Sequence, residues 1–172
     1  MVATVELVER MKTGEEAVAS HLHVLEIDAF SGGELNYGIH ALRGDISGAP
    51  TYSMERWFRW RFEQPFTYVT DFFFWVPGLV VPQGWTLLYG TSETFVLPTN
   101  APSSIAVSAL PTSKPAAPNI GGVPPLDGTE TRYSDWVVLQ ASINADAEIG
   151  PMLGFVGDDP VNIEYRLDWT ES

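Results

Sequence analysis

The sequence predicts an all-β protein, an antiparallel β-sandwich of jelly-roll type carrying one long proline-rich loop. Three observations predict it. Short β-rich or alternating runs recur along the 172 residues, and turn signals such as "SGGE", "RGDISGAP", "PQG", "PLDG" and "GDDP" separate them. Helical periodicity is scarce, its best example being the short "TGEEAVASHL" at 13–22. Many short strands with Gly/Pro punctuation and almost no helix are the pattern of a sandwich.

The expected strands follow in order. "ATVELVE" (3–9) and "LHVLEID" (22–28) open the chain. "MERWFRWRFE" (54–63) alternates, so Phe58, Trp60 and Phe62 share one face, while Trp57, Arg59 and Arg61 share the other. The first face reads as a core wall. The second reads as guanidiniums stacked beside Trp57 or paired with carboxylates of a neighbouring strand. "FTYVTDFFFWV" (66–76), "WTLLYG" (85–90), "TFVL" (94–97), "SDWVVLQASIN" (134–144) and "IEYRLDW" (163–169) complete the set. At this length one domain, residues 1–172, is the simplest organisation, and no internal repeat divides it.

Composition narrows the function. Net charge is −13, with 22 acids against 9 Lys plus Arg, which repels phosphate backbones and anionic lipid and suits docking on a basic partner. No nucleic-acid or membrane partner is therefore expected. There is no cysteine, so disulfides and thiolate metal sites are excluded. The first residues lack an apolar signal-peptide core, and the apolar run "FFFWVPGLVV" (72–81) is interrupted by Pro77-Gly78, so a soluble, unexported chain is expected.

Residues 98–128 stand apart. Seven of the 13 prolines lie between Pro98 and Pro125, and Lys114 is the only charge before Asp127. A loop this long in a compact domain is usually functional or disordered, and disordered segments are usually highly charged. Proline stiffens the chain in an extended form. One reading is an arm that lies along another subunit, with Ile105, Val107, Leu110, Lys114, Ile120 and Val123 as its contact residues. The other is a loop covering this protein's own body, with a short edge strand near 104–109.

Motifs that carry chemistry are few. No Gly-X-Ser-X-Gly elbow and no phosphate-cradling glycine loop is present. "GDD" (157–159) reads as a β-turn and "RGD" (43–45) as a chance tripeptide. His40 has no evident partner. Trp57, Trp85, Trp136 and Trp169 either fill the core or present rings to sugars. His21 and His23, with Glu26, Gly14 and Gly33, resemble the first motif of the cupins, and "VPQGW" (81–85) resembles the Pro-X-Gly of their second. The gap from His23 to Glu26 is shorter than the cupin spacing, and Leu87 stands where the second motif has histidine. That resemblance implies a metal held at His21 and His23.

The order of "YSMERWFRWRF" (52–62), "FFFWVPGLVVPQGWTLLYGTS" (72–92), "PTNAPSSIAVSALPTSKPAAPNIGG" (98–122), "YSDWVVLQASINADAEIGP" (133–151) and "IEYRLDWTES" (163–172) is similar to that of small structural proteins in tailed-phage virion gene clusters. The likeness spans residues 50–172 and brings no catalytic residues with it. It implies a virion component, without enzymatic activity or cofactor, that assembles in the host cytoplasm. An acidic body with an extended arm suits a capsid decoration, or cement, protein: a homo-oligomer stapling the major capsid protein through many contacts. A tail, neck or glycan-binding virion component and a cupin-like metal-binding protein are the alternatives.

Overall fold

The computed structural model describes residues 3–10, 15–19, 22–23, 48–63, 66–81, 83–122, 131–146, 162–163 and 165–171. Among them there is no helix, and every paired strand is antiparallel. The strands are β1 (Thr4–Arg10), β2 (Glu16–Val18), β3 (Leu22–His23), β4 (Thr51–Tyr52), β5 (Arg56–Glu63) and β6 (Val69–Trp75). After them come β7 (Trp85–Ser92), β8 (Ser108–Ala109), β9 (Arg132–Tyr133), β10 (Trp136–Ile143), β11 (Asn162–Ile163) and β12 (Arg166–Glu171). A large sheet runs β2-β1-β5-β10-β7-β8, with β4 also on β10 and β9 also on β5. Two small sheets pair β6 with β12 and β3 with β11.

The core lies between the large sheet and the β6–β12 pair. Alternation in β5 aims Phe58, Trp60 and Phe62 inward, and all three are fully buried. They meet the rings of the small sheet: Phe62 lies 5.2 Å from Phe72, Trp60 lies 5.5 Å from Phe74, and Phe62 is edge-on to Trp169 at 5.9 Å. Leu7, Leu87, Val137, Leu139 and Ala141 fill the spaces between. Offset and edge contacts of this kind add to simple area burial.

Strand β6 keeps its aromatic residues inward by a local device. Val69 and Phe72 are both buried although they are three residues apart, which plain alternation forbids. Pairing with β12 slips between Asp168 and Thr170, leaving an extra residue on β6. Asp71 absorbs it in the left-handed region, with φ of 56°. Aspartate is one of the few residues that enter that region readily.

Two expectations give way here. The best helical candidate, 13–22, is not a helix where the segment is described, because Glu16–Val18 form the edge strand β2 on β1. Three pairings and the bond from the Ala19 N–H to the Leu7 carbonyl outweigh a weak local helical preference. "TFVL" is not a strand either. Phe95 leaves the sheet to pack its ring 5.2 Å from Trp57.

Candidate interaction surfaces

The proline-rich segment is ordered against its own body over residues 98–122, and its path explains why. It begins on the outer face of the large sheet, where Phe95 and Ile105 cover a second apolar cluster of Trp57, Trp136 and Val138. Gly90 lies beneath, and a side chain there would collide with the Ala106 carbonyl. The segment then pairs with the free side of β7, Ala109 opposite Leu88 and Ser108 opposite Tyr89. The Leu110 N–H donates to the Leu87 carbonyl at 2.8 Å. From there it crosses to β6: the Val76 N–H donates to the Pro111 carbonyl at 2.8 Å, and Ile120 bridges Phe72.

Asn119 does the work of a strand residue with its side chain. Its Oδ1 accepts from the Phe74 N–H at 2.8 Å, and its Nδ2 donates to the Phe74 carbonyl at 2.9 Å and to the Tyr89 hydroxyl at 3.1 Å. The segment therefore satisfies backbone groups on the open sides of both β7 and β6, groups that would otherwise template aggregation. It finishes where the Asp135 N–H donates to the Gly121 carbonyl and Gly122 bridges Ser134. Gly122 has φ of 102° and sits hard against the Ser134–Asp135 backbone, so both conformation and space require glycine.

Its anchor is a pair of buried polar side chains. Glu55, 1% exposed, accepts from the Trp57 Nε1–H and the Thr99 N–H, each at 3.3 Å, and from the Ser103 hydroxyl. The Glu55 N–H in turn donates to the Thr99 carbonyl at 2.9 Å. Gln140, fully buried, donates from Nε2 to the carbonyls of Ser53 and Ala101, both at 2.9 Å. Neither residue was singled out from the sequence. A polar residue at an otherwise apolar strand position, as in "WVVLQASI", is the signal that could have found Gln140.

The expected contact residues are now placed. Leu110 and Ile120 are 5% and 4% exposed and belong to this chain's own core. Ile105 and Val107 are half-buried, Ile105 against the outer cluster. Lys114 is exposed, pairs with Asp168, and lies over the Phe73 ring at 4.5 Å. Val123 lies outside the described residues. Among the described residues, the large apolar side chains left most open are instead Val18, Val80, Val96 and Leu97, with Leu97 at 66%.

The arginines of β5 are engaged by carboxylates and rings, and Arg61 follows the expected cross-strand pairing. Arg61 pairs with Glu6, its partner in register, and its Nε lies 3.3 Å from Glu63. Arg59 meets Glu16 at 2.7 Å and stacks on Tyr133 at 3.7 Å and Trp136 at 4.4 Å. Arg56 faces inward at the end of the core and meets Glu9 at 3.2 Å. Of the tryptophans expected either to fill the core or to meet sugars, Trp57 and Trp136 are buried, Trp169 packs on the core and Trp85 is half-buried.

Among the described residues no group of three or more His, Cys, Asp or Glu could hold a metal ion. Of the cupin-like set only His23, Gly84, Trp85, Val81, Gln83 and Leu87 are described, and Leu87 is a core residue. His21, Glu26, Gly14 and Gly33 lie outside the described residues, as do His40, "RGD" and "GDD".

One carboxyl is set against its surroundings. Burial, then the charge of Glu93, hold Asp135 above its usual carboxyl range. A raised carboxyl is favourable to folding below the unfolded value of 3.8 and loses that contribution as pH rises through the folded value. Asp135→Asn is therefore expected to raise the melting temperature at about pH 7 and leave it unchanged at about pH 3. Thermal scans at the two pH values check this.

No protein-family model, no curated protein and no solved structure matches this chain.

Proposed function

We propose that this chain is a non-enzymatic virion structural protein, a jelly-roll-like sandwich that decorates and stabilises a coat lattice. The order of its segments, similar to that of tailed-phage structural proteins, supports the reading, and so does an acidic exterior suited to a basic shell. The observation that carries it is the exposed apolar pair Val96 and Leu97. The proline-rich segment, bonded to β7 and β6 of its own body, is not the free arm expected from the sequence, so contact falls to what stays outside. Val96 and Leu97, exposed at 39% and 66% where that segment begins, are the natural contact, with Leu110 and Ile120 withdrawn into the core.

A stiff body binds with little ordering cost, and several copies on a symmetric shell multiply weak contacts. Purified protein is expected to bind shells stripped of it and to raise their disruption temperature. Leu97→Asp is expected to weaken that binding about tenfold or more, since a charge replaces an apolar contact, while leaving the free protein's melting temperature within a few degrees. Stripped shells that ignore the wild-type protein would end the proposal.

A further inference from the structure

We propose that Phe73, Trp75 and Asp168 form a site for an ammonium group, that Lys114 occupies it as an internal ligand, and that a lysine side chain of a basic protein partner takes its place. The sequence raises the question first. Lys114 is the only charge between Pro98 and Asp127, in a segment otherwise built of small, apolar and proline residues.

The site is defined by its occupant. Alternation in β6 turns Phe73 and Trp75 away from the core, and neither ring belongs to either apolar cluster. Both are half-buried. The Lys114 ammonium lies 4.5 Å from the Phe73 ring centre and 6.0 Å from that of Trp75, and it pairs with Asp168. Asp168 stands opposite Phe73 in register, and Arg166 opposite Trp75. The ammonium sits nearer Phe73, where a carboxylate attracts it, than Trp75, where a second cation repels it. Ring faces beside a carboxylate suit an ammonium by cation–π attraction and a charged hydrogen bond. The hydrogen bond from Lys114 holds Asp168 below its usual carboxyl range, so the carboxylate is ionised at neutral pH.

The occupant is exchangeable. Among the described residues, 112–118 make no hydrogen bond apart from that of Lys114, whereas both flanks are fixed, Pro111 to Val76 and Asn119 to Phe72 and Phe74. The lysine leaves by turning its own side chain, and no backbone bond breaks. Its ion pair is 47% and 50% exposed on the two sides, the class that adds least to stability and yields to competing charge. An incoming lysine recovers the same carboxylate and the same rings. A net charge of −13 draws basic partners to this surface. The fixed flanks keep Lys114 at high effective concentration, so the site stays masked until such a partner arrives.

The chain has two lysines, Lys12 and Lys114, so labelling lysine at its ε-carbon gives two signals in a magnetic resonance spectrum. In the full-length protein the Lys114 ε-proton signal, identified by its loss in Lys114→Ser, is expected upfield of free lysine because of the ring beneath it. Nα-acetyl-lysine methylamide, added at constant ionic strength, is expected to move that signal toward the free position and to shift the Trp75 indole N–H. In Lys114→Ser the same indole shift is expected at about tenfold lower probe concentration, since the internal competitor is gone. That variant should melt within a few degrees of the wild type, the side chain being exposed. Adding Asp168→Asn to Lys114→Ser is expected to weaken the probe about tenfold. Nα-acetyl-norleucine methylamide, which lacks the charge, is expected to shift neither signal. A Lys114 signal at the free-lysine position overturns the proposal, as does equal probe demand in the wild type and Lys114→Ser. Undiminished binding after Asp168→Asn, or a norleucine probe as effective as the lysine one, overturns it too. None of these outcomes depends on whether the protein binds shells.

Discussion

Replacing residues 100–120 by a short glycine–serine link is expected to abolish cooperative folding. An arm that served only a partner could be cut away and leave the body intact. This segment cannot, because Leu110 and Ile120 fill the core between the sheets. Truncating a single buried leucine or isoleucine to alanine costs about 2–5 kcal/mol. Both are lost here, together with the bonds that Leu110, Pro111 and Asn119 make to Leu87, Val76 and Phe74. Each buried backbone group left without a partner costs about 1–3 kcal/mol more. Against a typical total stability of about 5–15 kcal/mol, little or nothing remains. Circular dichroism melts check it: a sharp transition in the deleted chain, close to that of the intact protein, would mean that the segment is an accessory. An intermediate test is Asn119→Ala with the segment kept, which should lower the melting temperature while preserving a single transition.

Among the strands that carry the core, β5 was legible through its period of two, and Phe58, Trp60 and Phe62 could be assigned to one face from spacing alone. β10 was legible only as an apolar β-rich run, because it is buried on both faces and shows no alternation. What was not legible depends on distant partners. β2, β4, β8 and β9 are two or three residues long, too short for any period, and exist because a neighbouring strand offers them bonds. The proline-rich segment was readable as extended and apolar, yet composition is the same whether such a strand lies on a partner or on its own body. Asn119 and Gln140 decide the matter, and both act through side-chain bonds to backbone far away in sequence. The outward positions of Phe73 and Trp75 were hidden inside an unbroken apolar run, "FFFW", because the bulge at Asp71 just before it resets which positions face out.

Glu55 offers the sharpest single-residue test of how the proline-rich segment is held. Glu55→Ala is expected to destabilise the protein by about 3–5 kcal/mol, because it strands three donors in a buried site and leaves a cavity beside Trp57. In a chain of this length that corresponds to a fall of roughly 6–20 °C in melting temperature. Glu55→Gln separates charge from shape. The amide keeps one acceptor but turns a donor toward either the Ser103 hydroxyl or the Trp57 and Thr99 N–H groups, where the carboxylate accepts from all three. Ser103 can rotate its proton away and accept instead, so Glu55→Gln should cost less than Glu55→Ala. The coupling is measurable: if Glu55 acts by gripping the segment, Ser103→Ala should cost markedly less in the Glu55→Ala background than in the wild type. Hydrogen exchange at residues 99–107 should rise in Glu55→Ala before it rises in β5 or β10, since the outer half of the segment loses its anchor first. Additive costs, with uniform exchange across the molecule, would mean that Glu55 is merely one more buried residue and that Gln140 alone holds the segment to the sheet.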